Sequence, residues 1–299
     1  MRQIQSAALI VNAKSRKGRK LFRKAAEIAR TFPFKVDSYP VRNPNLLEDA
    51  VKKALKADPD MIILGGGDGT MSGLVDLLVG KDVALGVLPL GTANSFARTL
   101  GIPLDVEGAM KVIAGGHFRR IDLGMVDDDY FANCAAIGIS PLIAETVPHG
   151  FKAWAGRVGY LSWAMLMLFR FKPFRLTVGE GAAAETIDAL EVRIANGGYH
   201  GGTELVDDAH VDSGEIVVQA VVGKALPFLA WSWLTSVLRL PARRQTTREF
   251  HGRALRVATD PPLAISIDGE VLAKTPVTAR VAVGAIEIAA PRPVSQPSG

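Results

Sequence analysis

Residues 61–75 read MIILGGGDGTMSGLV, and this stretch decides the fold. Met61 to Leu64 form a short apolar run of the kind a buried strand needs, and Gly65, Gly66, Gly67, Asp68, Gly69 and Thr70 follow before a helical stretch. Glycines let the backbone turn with positive φ and let a ligand come close to the amides, while the start of the next helix offers N–H groups to an anion. A tight turn alone needs neither three consecutive glycines nor an acid at the end of a buried strand, so the stretch reads as a phosphate cradle. No Gly-Lys-Ser/Thr follows, which excludes a Walker A loop, and the third glycine of a dinucleotide fingerprint is missing.

The next segment repeats the logic. ALGVLPL (84–90) ends in Gly91 and Thr92, and ANSFARTL (93–100) opens a helix. Pro89 stiffens the approach and Gly91 frees the backbone, so Thr92 and Asn94 are expected beside the first loop across neighbouring parallel strands. In structural terms alone Thr92 would be a helix N-cap, a role compatible with ligand contact.

Short β-rich runs alternate with helical stretches from Ala7 to about Gly116: AALIV then GRKLFRKAAEIARTF, FKVDSY then LLEDAVKKALK. This is the βαβ rhythm of a parallel sheet covered by helices. After Arg120 the chain becomes strands linked by turns (FRLTVGE, LEVRIANGG, EIVVQAVV, ALRVAT, TARVAVGAIEIAA), with two helical interruptions near 151–171 and 225–240. The expectation is an α/β protein of two domains. Residues 1–122 form a parallel-sheet α/β nucleotide-binding domain, and residues 123–299 a β-sandwich domain whose last strand can return to the first. The final PRPVSQPSG reads as a frayed tail.

A length of 299 residues suits two such domains. The single Cys134 cannot form an internal disulfide or a cysteine zinc site, and the five His are scattered, which points to a reducing cytoplasm. The first residues lack the apolar core and cleavage site of a signal peptide. The longest apolar stretch, 225–240, is interrupted by Pro, Thr and Ser and falls short of a spanning helix.

Net charge is +5 and the pI is about 9.3. Basic residues cluster at Lys14, Arg16, Lys17, Arg19 and Lys20, and again at Arg239, Arg243, Arg244, Arg248, Arg253 and Arg256. Such clusters suit polyphosphate, nucleic acid or anionic lipid, or a solvated face; no nucleic-acid reader motif accompanies them, so a nucleic-acid partner is not expected. Segment 225–240, with Trp231 and Trp233, and segment 151–171, with Trp154 and Trp163, each read either as a buried core helix or as an interfacial one.

Taken in order, GGGDGT (65–70), LPLGTANSFARTLGIP (88–103), IDLG (121–124) and ISIDGE (265–270) resemble the diacylglycerol kinase catalytic family, which includes sphingosine and ceramide kinases and bacterial lipid-kinase relatives. GGDGT alone is shared with NAD kinases and phosphofructokinases; the ordered series covers nearly the whole chain. The resemblance implies an ATP- and Mg2+-dependent enzyme that phosphorylates a hydroxyl of diacylglycerol or a related lipid. It would be cytoplasmic and meet its lipid at the inner face of the membrane, with the oligomeric state, a homodimer included, left open. By the same resemblance Asn12, Gly66, Gly67, Asp68, Gly69, Thr70, Met71, Ser72 and Thr92, with Asn94 beside them, serve the ATP phosphates, and Asp68 and Asp122 serve magnesium.

The resemblance also makes Glu270 the base that takes the proton from the lipid hydroxyl. A carboxylate there is chemically sensible, because phosphoryl transfer to an alcohol needs positioning, charge neutralisation and a proton acceptor. The structural alternative for Asp268-Gly269-Glu270 is a hairpin turn. A structural magnesium is implied near His210, Ser213 and Glu215, with Asp212 as a substitute ligand. Three positions depart from the family pattern: Ser95 and Ser213 stand where Asp is usual, and the Thr expected at the end of the second strand is missing around Ser38 to Val41. The competing readings are an NAD kinase-like nucleotide kinase and a catalytically weak lipid- or nucleotide-binding protein.

Overall fold

A computed structural model describes residues 2–12, 16–138, 172–223, 246–267 and 270–292. Both apolar Trp-bearing segments, the cations Lys14, Arg239, Arg243 and Arg244, and Asp268-Gly269 lie outside the described residues. The chain divides into two compact units, Met1–Leu123 with Val283–Gly299, and Gly124–Ala282.

The first unit contains β1 (Ser6–Asn12), α1 (Arg16–Ala29), β2 (Lys35–Val41), α2 (Leu47–Leu55), β3 (Met61–Gly66), α3 (Asp68–Val75), β4 (Ala84–Pro89), α4 (Ser95–Thr99), α5 (Val106–Ala114) and the greater part of β5 (Phe118–Val126). Four of its strands are parallel, in the order β4-β3-β1-β2, and the end of the C-terminal strand adds beside β4 through Glu287 and Ile288. Every residue of β3 and β4 is buried, as the continuous apolar runs of central parallel strands require. Full burial of a side chain such as Ile63 or Leu85 contributes about 1.5–3 kcal/mol. β2 lies at the edge of the described sheet, where Pro40 can be tolerated.

Helices cover the sheet with one apolar face each. α2 buries Leu47, Val51 and Ala54; α5 buries Val106, Ala109, Met110 and Ile113, and its cap Asp105 accepts the Gly108 N–H at 2.8 Å. α5 is an addition to the helices read from the sequence.

The second unit contains the end of β5, then β6 (Asp129–Phe131), β7 (Cys134–Gly138), β8 (Phe174–Val178), β9 (Glu185–Ala195), β10 (Tyr199–His200), β11 (Thr203–Glu204), β12 (Ile216–Val222), β13 (Thr247–Gly252), β14 (Ala254–Asp260), β15 (Ala264–Ile267), β16 (Glu270–Lys274) and the first part of β17 (Val277–Ala289). These strands pair antiparallel, β16-β15-β7-β9-β8-β14-β17, with β12 bridging β9 and β13. Ile137, Leu176, Val192, Ile194, Val218 and Ile265 are fully buried in its core. No helix among the described residues is long and apolar enough to cross a membrane.

Candidate functional site

Because β3 and β4 run parallel in register, Gly65 beside Leu88 and Gly66 beside Pro89, their carboxyl ends deliver two loops to the same edge of the sheet. Ligands in open α/β sheets bind beyond such strand ends. The Leu90 N–H donates to the Gly66 carbonyl at 2.8 Å, extending the pairing one residue past β4. The loops then touch backbone to backbone: a Cβ on Gly91 would lie 2.5 Å from the Gly67 Cα. Only glycine fits there. Gly66 is equally constrained, since a Cβ on it would lie 2.4 Å from that of Thr70.

α3 follows at once. The Gly67 carbonyl accepts the Thr70 and Met71 N–H groups at 3.0 and 3.1 Å, so the amides of Asp68 and Gly69 open the helix ahead of them. A helix start of this kind favours an anion. The Asp68 Oδ1 accepts the Phe96 N–H at 3.0 Å and so ties the first loop to α4. Asp68 and Thr70 are half-buried and Gly69 and Thr92 exposed, while Met71 and Ser72 turn their side chains into the core.

The helix expected over 93–100 is shorter, Ser95–Thr99, and its flanking residue is Asn94 rather than Thr92. Asn94 adopts the left-handed conformation with φ of 49°, which ends the loop and delays the helix. Its side chain closes on Gly91, accepting that residue's N–H at 2.8 Å and donating to its carbonyl at 3.1 Å. The cap role assigned to Thr92 on structural grounds is therefore corrected: the loop is closed by Asn94 acting backwards. Ser95 is buried at the start of α4.

Asn12 ends β1, one residue beyond the Val11–Gly65 pair, which brings it to the same strand ends. Asp122 is buried in β5, where its Oδ1 accepts the Gly284 N–H of β17 at 2.8 Å. Glu270 opens β16, opposite Ile267 across the β15–β16 hairpin.

The side chains of His210, Asp212, Ser213 and Glu215 lie exposed in the turn before β12. Two polar groupings of the second unit were not expected from the sequence. Buried Arg193 pairs with Glu191 at 2.7 Å and donates to Gln219 at 2.7 Å, and Gln219 donates in turn to Glu249 at 2.7 Å. Asp208, Glu249 and His251 each bring one ligand atom within 4.8 Å of the others. Strand alternation assigns each of these residues to a face of its own strand, but only the register of β12 with β9 and β13 makes Arg193, Gln219 and Glu249 neighbours.

Comparison with known proteins bears on both units. Residues 6–126 match the model of the diacylglycerol kinase catalytic domain, and residues 134–290 that of the YegS C-terminal NAD kinase beta sandwich-like domain. A Klebsiella pneumoniae (strain 342) protein named "Probable lipid kinase YegS-like" is 37% identical over 186 residues, 60% of this chain and 62% of that protein. The chain thus spans less than two thirds of that relative's length. A diacylglycerol kinase of Staphylococcus aureus (strain JH9) is 29% identical over 233 residues, 75% of this chain and 72% of that one. The crystal structure of a diacylglycerol kinase from Bacillus anthracis str. Sterne superimposes with a TM-score of 0.76 at 22% identity, covering 98% of this chain and 99% of that chain, a likeness of fold. With the two models matched in order along it, the chain belongs to the family that joins a diacylglycerol kinase catalytic domain to a YegS C-terminal beta sandwich-like domain.

Proposed function

We propose that the protein is a lipid kinase that transfers the γ-phosphoryl group of ATP to a hydroxyl of diacylglycerol or a related lipid. One observation carries the reading: the glycine loops after β3 and β4 interlock at adjacent parallel strand ends, with the start of α3 between them and Asp68 bonded across them. Loop amides and a helix start are donors for phosphate oxygens, and β1 ends with Asn12 beside them.

The half-buried Asp68 carboxylate is the hard oxygen donor that would hold a magnesium ion accompanying ATP, and the ion would supply charge neutralisation at the phosphates. Asp122, buried and bonded to Gly284, contributes by holding β5 to β17 in the first unit. Glu270 is the base. Its carboxylate takes the proton of the lipid hydroxyl as that oxygen bonds to the γ-phosphorus, the bond from phosphorus to the bridging oxygen breaks, and ADP leaves with the electron pair. The protein would act in the cytoplasm, meeting its lipid at the inner membrane face.

The test is to incubate the purified protein with radiolabelled ATP, magnesium and vesicles carrying diacylglycerol, ceramide or other hydroxyl lipids, with NAD as a separate acceptor. Label in a lipid is expected. Label in NAD alone would transfer the reading to a nucleotide kinase, and label in neither would leave a binding protein.

A further inference from the structure

Between β11 and β12 the chain makes a turn that the family resemblance associates with a structural magnesium. The turn carries weight in the fold: Val206, Ala209 and Val211 are buried, and Val206 and Ala209 pack with Cys134, Ala195 and Val217 in a small apolar cluster beneath it. Something must therefore hold residues 210–215 in shape.

Ser213 does so. Its hydroxyl donates to the His210 carbonyl at 2.9 Å, and its N–H points at the same carbonyl at 3.2 Å. The Oγ also accepts the Glu215 N–H at 3.3 Å and lies 3.3 Å from the Glu215 carbonyl. A hydroxyl has one proton to give and lone pairs to receive, so this single group satisfies the turn as donor on one side and acceptor on the other. A divalent ion in the same place would need those two carbonyls together with a carboxylate to offset its loss of water. Here the group between the carbonyls is neutral and already hydrogen-bonded to both ends of the turn. The position between the two carbonyls therefore does not fit magnesium, and the turn's carboxylates, Asp212 and Glu215, stand exposed on either side of Ser213 in the chain.

We infer that the Ser213 hydroxyl closes this turn in place of a divalent ion, so that the second unit folds without magnesium. The inference stands independently of the reaction the protein catalyses.

Thermal unfolding of the full-length, nucleotide-free protein tests it, in EDTA and in magnesium chloride, for wild type, Ser213→Ala and Ser213→Asp. Wild type should unfold at one temperature in both media. Ser213→Ala should unfold about 2–4 °C lower in both, having lost a hydrogen-bonding group. Ser213→Asp should be destabilised in EDTA and regain stability with magnesium, because it supplies the missing charge.

A wild-type midpoint that rises with magnesium, the rise vanishing in Ser213→Ala, would overturn the inference. A rise kept in full by Ser213→Ala and lost in Asp212→Asn would overturn it as well, the ion then being held by the turn's own carboxylate; a rise kept by both variants belongs to metal bound elsewhere and leaves the turn metal-free. A Ser213→Asp variant indifferent to magnesium would overturn the claim that the hydroxyl stands where an ion could.

Discussion

Asp68 combines charge with architecture, and the two can be separated. Its Oδ1 accepts the Phe96 N–H at 3.0 Å, a bond that Asn can keep and Ala cannot. If the charge handles magnesium and phosphate, Asp68→Asn and Asp68→Ala should both lower turnover by about 10²–10³-fold. Only the Ala variant should also lose stability, by roughly 1 kcal/mol in denaturant titration. Wild-type turnover in Asp68→Asn would confine Asp68 to a structural role. Glycines provide a second contrast. Gly91→Ala forces a Cβ to within 2.5 Å of the Gly67 Cα and should cost about 1–3 kcal/mol. Gly73→Ala in α3 meets nothing within 4 Å and should be neutral or stabilising by up to about 1 kcal/mol. Equal effects of the two substitutions would show that the close approach of the loops is not rigid. The glycines could be read from the sequence because a strand running into consecutive glycines has few other uses. The closure of Asn94 back onto Gly91 could not, because the left-handed conformation of an Asn competes with helix start only once both loops are in place.

Elements were legible where their pattern was strong. β3 and β4 are unbroken apolar runs and could be recognised without any partner, whereas β13, TREFHG, has mixed polarity and becomes a strand by pairing with β12. Along β1, Asp60 acts as a clasp: it accepts the Gln5 N–H at 2.8 Å and the Ser6 N–H at 2.9 Å, joining the start of β1 to that of β3. The Gln5 N–H, then Ser6 and the Arg2 cation, hold the Asp60 carboxyl below its ordinary range despite some desolvation. A depressed carboxyl stabilises the fold above its unfolded pKa of about 3.9, and the contribution is lost as pH falls through the lower folded value. Asp60→Ala should therefore be less stable than wild type at neutral pH, and the gap should close only in acid below about pH 4. A gap unchanged in acid would mean that the carboxylate's charge plays no part in the clasp.

For the molecule as a whole, the interlocked loops belong to the first unit and Glu270 to the second. The order of the motifs made the two-part α/β and β architecture readable; what remained hidden were cross-strand polar sets such as Arg193, Gln219 and Glu249, whose partners are distant in sequence. The lipid-kinase reading stands or falls on one comparison. With radiolabelled ATP, magnesium and diacylglycerol vesicles, wild-type protein should place label in the lipid, and Glu270→Gln should slow that transfer by about 10²–10⁴-fold while binding ATP with near wild-type affinity in calorimetry. Wild-type transfer by Glu270→Gln, or no labelled lipid from the wild-type protein across the panel of hydroxyl lipids, would contradict the account.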